Sequence, residues 1–132
     1  MTVKESSKSM FTGIIKKLST IEDVYTKNGS IFAMLKKDKD WPVEMGQSIA
    51  INGVCSTVKK FDATSFEVEW MPETLKKTAV ENYKKGQLVN LETSMNISTL
   101  LDGHIVQGHV DTVGKVVEVK PVKDSTIIKI KL

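Results

Sequence analysis

Residues 46–58, Gly-Gln-Ser-Ile-Ala-Ile-Asn-Gly-Val-Cys-Ser-Thr-Val, constrain the fold more than any other stretch. Two β-prone runs flank the pair Asn52-Gly53. Such a pair is the strongest short-range hairpin signal, because a type I′ turn needs positive φ at both central residues and Asn and Gly accept it most readily. With Asn52-Gly53 as the turn, Ile51 stands opposite Val54, Ala50 opposite Cys55, Ile49 opposite Ser56 and Ser48 opposite Thr57. Side chains alternate across a sheet. Ile49, Ile51, Val54 and Val58 therefore read as the core face, and Ser48, Ala50, Cys55 and Thr57 as the other. That second face is small and uncharged, whereas a merely solvated face more often carries Lys and Glu. It suits either a covering loop or the close approach of something flat; the hairpin alone favours the loop.

Turn signals cut the rest of the chain into short strands. Residues 10–24 are β-prone, interrupted by Gly13 and Lys16-Lys17, and Asn28-Gly29-Ser30 turns the chain so that residues 31–36 pair back. Residues 38–44, with Trp41-Pro42, form a loop. After the hairpin, Asp62-Ala63-Thr64 makes another turn, and residues 65–71 alternate, with Phe66, Val68 and Trp70 inward and Ser65, Glu67 and Glu69 outward. Pro72 ends that pattern. One short helix is predicted over 72–78, because Pro suits a first helical turn, Glu73 its positive end and Lys76-Lys77 its negative end. Lys85-Gly86 turns the chain into a sixth strand at 88–92. Six short strands at near-regular spacing predict an all-β fold: a closed, six-stranded antiparallel Greek-key barrel with one short helix, over residues 10–93.

The last part of the chain repeats its beginning. Residues 105–110 align with residues 10–15, Gly108 falling on Gly13 at an offset of 95, and Lys123-Asp124-Ser125 matches Asn28-Gly29-Ser30. The chain thus divides into a loose N-terminal extension (1–9), a complete unit (10–93), a connector (94–104) and an incomplete second repeat (105–132). Two strands are predicted in that repeat, over 105–119 and 125–132.

Composition removes several function classes. All 19 basic residues are Lys, scattered in pairs among acids, and the net charge is only +3. With Arg absent and aromatics at 6%, a nucleic-acid surface is not expected, since such surfaces use Arg forks and stacking rings. The single cysteine, Cys55, precludes an intrachain disulfide and a multi-cysteine metal site. Residues 1–9 lack the apolar segment of a signal peptide, and the longest apolar run, 31–35, is too short to cross a bilayer. A cytoplasmic protein with no membrane or nucleic-acid partner is expected.

The fragments Met10-Phe11-Thr12-Gly13-Ile14-Ile15, Asn52-Gly53-Val54-Cys55, Thr57-Val58, Met71-Pro72-Glu73-Thr74-Leu75 and Val89-Asn90-Leu91-Glu92, then Gly103-His104 through Gly108-His109-Val110-Asp111, run in order along the chain. In that order and spacing they resemble the riboflavin synthase alpha-chain family, whose members carry two lumazine-binding barrels in tandem. Lys76-Lys77 stand where the family usually has Arg, Ser56 stands where Leu is common, and the second barrel is cut short. The resemblance implies a dismutation of two 6,7-dimethyl-8-ribityllumazine molecules to riboflavin and 5-amino-6-ribitylaminouracil, a four-carbon transfer needing no metal or redox cofactor. It also implies a homo-oligomer, trimeric in the full-length family, with the reaction centre where the first barrel of one chain meets the second barrel of a neighbour. The alternative is a non-catalytic lumazine- or flavin-binding protein on the same barrel. With the second unit incomplete, the expectation is a chain that binds ligand better than it turns it over. A dimer is favoured, joined by the tails, because a lone two-stranded hairpin is marginal and its open edges invite pairing.

By register, Ser48, Cys55 and Thr57 share one face, and the resemblance places the corresponding residues at the pterin ring, Ser48 and Cys55 as catalytic groups. Taken alone, Cys55 reads as a small half-buried hydrophobe. His109 is the implied proton carrier, imidazole being suited to that role near neutral pH; the plainer reading is a hydrogen-bonded edge histidine. Gln107, His109 and Asp111 share a face by period two and His104 falls opposite, which argues against a two-histidine metal site. The resemblance further implies that Phe11, Thr12, Gly13, Ile14 and Ile15 open the site, with the Gly13 backbone beside the ligand; a lone strand Gly marks a close approach or a bulge. Glu69, Trp70, Met71, Pro72, Glu73 and Thr74 would wrap the ring edge and ribityl chain, although helix capping alone would account for Glu73 and Thr74. Val54, Ser56, Gly108 and Val110 complete the implied set. Asn90 joins it because Val89 and Leu91 point to the core and Asn90 away.

Overall fold

The structure is a computed structural model that describes residues 10–95 and 105–132. The expectations for residues 1–9, for most of the connector and for His104 lie outside the described residues. Strands β1 (Lys17–Lys27), β2 (Ser30–Lys36), β3 (Ser48–Ile51), β4 (Val54–Phe61), β5 (Ser65–Trp70) and β6 (Leu88–Thr93) close into an antiparallel barrel in the order β1-β2-β5-β4-β3-β6. Helix α1 (Pro72–Lys77) and a 3-10 turn at Val80–Asn82 carry the chain from β5 to β6. The β3–β4 register is the one the Asn-Gly turn dictates, from Ile51↔Val54 to Ser48↔Thr57, with φ of 47° at Asn52 and 82° at Gly53.

The barrel interior is filled by the inward half of each alternation: Ile21, Leu35, Ile49, Ile51, Val58, Phe66, Val68, Trp70, Val89 and Leu91 are all buried. Ser56 belongs to this face, being opposite Ile49. Its hydroxyl accepts from Trp70 Nε1 at 2.7 Å and donates to the Val54 carbonyl at 3.0 Å. A polar atom inside an apolar barrel is tolerated because it satisfies the indole N–H that Trp70 brings in with it. At the barrel end, Lys37 is buried and its ammonium donates to the carbonyls of Asp38, Trp41 and Ala63 at 3.2–3.3 Å. It ties the loop after β2 to the β4–β5 turn.

Three expectations change. First, β1 begins at Lys17, not at residue 10. Gly13 takes φ of 83°, and the backbone of Thr12 and Gly13 is claimed by a carboxylate on β6 rather than by a strand ladder. Second, Ser65 and Glu67 on β5 are buried, Glu67 at 4% exposure, although alternation points them outward. Cross-strand neighbours roof that face: Tyr25 stacks on Phe32 with centroids 5.1 Å apart, and the Tyr25 hydroxyl donates to Glu67 Oε2 at 3.1 Å. Asp62 accepts from the backbone and hydroxyl of Ser65. Third, the first strand of the tail spans Lys115–Val122, not 105–119.

This strand, β7 (Lys115–Val122), pairs with β8 (Ser125–Lys131) as a separate two-stranded sheet. The hairpin copies β1–β2 at the 95-residue offset. Lys27↔Ser30 becomes Val122↔Ser125, and the register shift between Ile21 and Asp23 reappears between Val116 and Glu118. The turn residues Asn28 and Lys123 have φ of 51° and 50°. This fits an incomplete second repeat. Every residue of β7 and β8 is exposed, including Val116, Val119, Ile128 and Ile130.

Candidate functional site

Strands β4 and β5, helix α1 and residues 107–110 enclose a groove of about 680 Å³, within the range of small-molecule sites. Its position follows from the outer face of β6–β3–β4. There Glu92, Ala50 and Cys55 form one cross-strand row. Residues 11–13 and 106–108 lie across that row. Phe11 and Val106 exchange backbone hydrogen bonds of 2.6 and 2.8 Å, and the Cys55 N–H donates to the Gly108 carbonyl at 3.4 Å. Gly108 has φ of 72°, and a Cβ there would sit 3.0 Å from Cys55 Cβ and 3.1 Å from the Phe11 ring. Glycine is needed for both the backbone angle and the space. The small-residue face is thus divided: its Ala50–Cys55 part lies under residues 106–108, and its Thr57 end is exposed and opens into the groove.

The β5 wall is charged but neutralised. Glu69 stands opposite Thr57, and its carboxylate is 3.2 Å from Lys59 Nζ. The Ser30 hydroxyl, and then the Lys59 ammonium, hold the Glu69 carboxyl below its usual range. Trp70 closes the inner side, its ring edge-on to Tyr83 at 5.7 Å. Helix α1 supplies the opposite wall, where Lys77 pairs with Glu73 at 3.4 Å, one helical turn apart. Thr78 donates its hydroxyl to the Thr74 carbonyl at 2.8 Å. On the covering segment, His109 Nε2 is 3.1 Å from Asp111 Oδ1, and the His109 side chain is 64% exposed. Among the described residues no group of three or more His, Cys, Asp or Glu side chains gathers as a metal site.

Of the residues expected at the site, the groove wall contains Val54, Cys55, Thr57, Glu69, Trp70 and Met71, together with Glu73, Thr74, Gly108, His109 and Val110. Ser48 shares the Cys55 face on the neighbouring strand, outside the wall itself. Ser56 is turned into the barrel. Phe11 is buried against Gly108 and Thr12 is buried beside Glu92, and neither they nor Gly13, Ile14 and Ile15 line the groove. Pro72 starts α1 without lining the groove. Asn90 is exposed and lies outside the groove wall; its backbone N–H donates to Asn52 Oδ1 in the β3–β4 turn at 2.8 Å. Sequence reasoning missed Lys59, Lys77, Thr78 and Gln107 as wall residues. Period two from Thr57 points to Lys59, and one helical turn from Glu73 points to Lys77.

The family model for the lumazine binding domain matches residues 12–94. This chain belongs to the lumazine-binding domain family. It is 37% identical over 123 residues to the riboflavin synthase of Actinobacillus pleuropneumoniae, covering 92% of this chain and 57% of that protein. It is 44% identical over 111 residues to the riboflavin synthase of Photobacterium phosphoreum, covering 83% and 51%. The chain therefore spans about half the length of these curated relatives. Among solved structures it is similar to LumP complexed with 6,7-dimethyl-8-(1'-D-ribityl) lumazine, with a TM-score of 0.80 at 22% identity over 92% of this chain and 68% of that one. The LumP complex with riboflavin gives a TM-score of 0.79 at 22% identity, covering 92% and 67%. These likenesses show a shared fold. No helix among the described residues is long and apolar enough to cross a membrane.

Proposed function

We propose that the groove holds the ring of 6,7-dimethyl-8-ribityllumazine or riboflavin, and that this chain is the ligand-binding part of a riboflavin synthase. The observation that carries the reading is the open Thr57 end of the small-residue face, which lines a groove of about 680 Å³ together with Gly108 and His109. Small side chains on both sides leave a flat heterocycle room to lie against backbone, while the Glu69–Lys59 and Glu73–Lys77 pairs offer polar groups to its edge and ribityl chain. The riboflavin synthase relatives support the same reading.

In the dismutation one lumazine gives up a four-carbon unit and leaves as 5-amino-6-ribitylaminouracil, and the other becomes riboflavin. The donor must lose a proton from an acidic methyl group, and the acceptor must take a nucleophile at its ring. His109 is the proton carrier in this proposal, and Cys55 and Ser48 supply the nucleophile or position a water. Two rings must meet face to face, whereas the described residues form one closed barrel. Turnover thus requires a second barrel's surface, and the 132-residue chain by itself binds a ring with weak or no turnover. The exposed β7–β8 hairpin leads us to expect a homodimer joined through these tails; a strict monomer by light scattering at tens of micromolar would overturn that part. A non-catalytic lumazine or flavin carrier shares the same groove, and failure to form riboflavin even with a partner barrel present would favour it.

Titration of ligand fluorescence tests the central claim. Saturable quenching with one ring per barrel is expected, and Thr57→Phe, which fills the open end of the face, should abolish it while the barrel stays folded. No change in fluorescence at high micromolar protein refutes the reading.

A further inference from the structure

Glu92 is 4% exposed, yet it lies outside the apolar core and the groove wall. Its Oε1 accepts from the Thr12 N–H at 2.7 Å, the Thr12 hydroxyl at 2.8 Å and the Gly13 N–H at 3.2 Å; its Oε2 also lies 3.2 Å from that last N–H. Among the described residues no Lys pairs with it. A buried carboxylate met only by uncharged donors is costly unless those donors are held in place. They are held by a continuous line of contacts. Thr12 follows Phe11, and Phe11 is bridged to Val106 by two backbone bonds. Two residues on, Gly108 presses against Cys55 and the Phe11 ring.

We propose that Glu92 is a positioning residue for the groove. By fastening residues 12–13 it keeps residues 106–109 seated on Cys55, and so fixes where Gly108 and His109 stand in the groove wall. The ligand-binding consequence rests on the ring-binding reading above; the seating does not. The chemistry asks for a carboxylate. The Thr12 and Gly13 donors converge on the pair of oxygens, so an acceptor-only group satisfies all of them. Glutamine retains the Oε1 contacts and points an amide N–H₂ at the Gly13 N–H. Alanine leaves every donor orphaned.

Cys55, the chain's sole cysteine, reports the seating directly. The experiment measures the rate of Cys55 alkylation by iodoacetamide under folding conditions, together with the Kd for riboflavin, in the full chain and its Glu92→Ala, Glu92→Gln and Gly108→Ala variants. Glu92→Ala should speed alkylation by about tenfold or more, the scale expected when buried donors lose their acceptor, and weaken riboflavin binding in parallel. Glu92→Gln should recover most of both. Gly108→Ala, whose Cβ would stand 3.0 Å from Cys55 Cβ, should reproduce the alanine phenotype with Glu92 intact. A lower Tm for Glu92→Ala with unchanged alkylation below the transition overturns the proposal and leaves Glu92 a purely structural group. Should Glu92→Ala fail to fold, wild-type alkylation rates in Gly108→Ala overturn it equally. Absence of riboflavin binding by the wild-type chain refutes the ring-binding reading, and alkylation still decides the seating.

Discussion

Ser56→Ala removes one oxygen from the barrel interior and orphans an indole. Ser56 is 2% exposed, Trp70 is 1% exposed, and their 2.7 Å contact is the hydrogen bond that Trp70 Nε1 makes inside the barrel. Leaving a buried donor unsatisfied costs about 1–3 kcal/mol. Alanine opens only a hydroxyl-sized space, so the cavity contribution is small beside that. At about 4 °C of Tm per kcal/mol for a domain of this size, the midpoint should fall by roughly 4–12 °C. Urea denaturation followed by tryptophan fluorescence measures the loss, with an unchanged m-value marking a change in stability alone. Riboflavin affinity should be unaffected, because the hydroxyl faces the barrel interior. A loss under about 0.5 kcal/mol would mean that the indole N–H finds another acceptor. Weakened riboflavin binding with stability intact would return Ser56 to the ligand site, where the family resemblance puts it.

Lys37→Met deprives the carbonyls of Asp38, Trp41 and Ala63 of their shared donor. A loss of about 2–3 kcal/mol is expected in urea denaturation, and a variant as stable as wild type would show that water replaces the ammonium. The Glu69 carboxyl, held below its reference value of 4.5 first by Ser30 and then by Lys59, contributes stability that is fully present above 4.5 and lost as pH falls through the lower folded value. Ser30→Ala should move the Glu69 titration, followed by NMR, up toward 4.5; an unchanged titration would refute the assignment of cause.

Local chemistry made part of this protein legible. The Asn52-Gly53 turn specifies φ at two residues, and every pair from Ile51↔Val54 to Ser48↔Thr57 follows from it. Turn residues and alternation likewise located six strands and the helix, although β1 starts at Lys17 and not at residue 10, and the 95-residue offset carried the β1–β2 hairpin onto β7–β8. Cys55 and Thr57 could be placed on one candidate face for the same reason, since a shared face needs only register. The covering of a face is decided differently. Glu67 alternates outward and is buried because Tyr25 and Phe32 come to lie over it. Residues 105–114 have the composition of a strand, but only Val106 forms a bridge, and Gly108 settles on Cys55 instead. Glu92 appears in the sequence as one more acidic strand residue. Its role exists only because barrel closure sets Ala50 beside Glu92 and brings Thr12 to its carboxylate across 80 residues of chain. Turn propensity and periodicity act over a few bonds. Desolvation and hydrogen-bond satisfaction depend on which distant segments meet, so tertiary packing alone decided which half of the small-residue face is covered and which half opens into the groove.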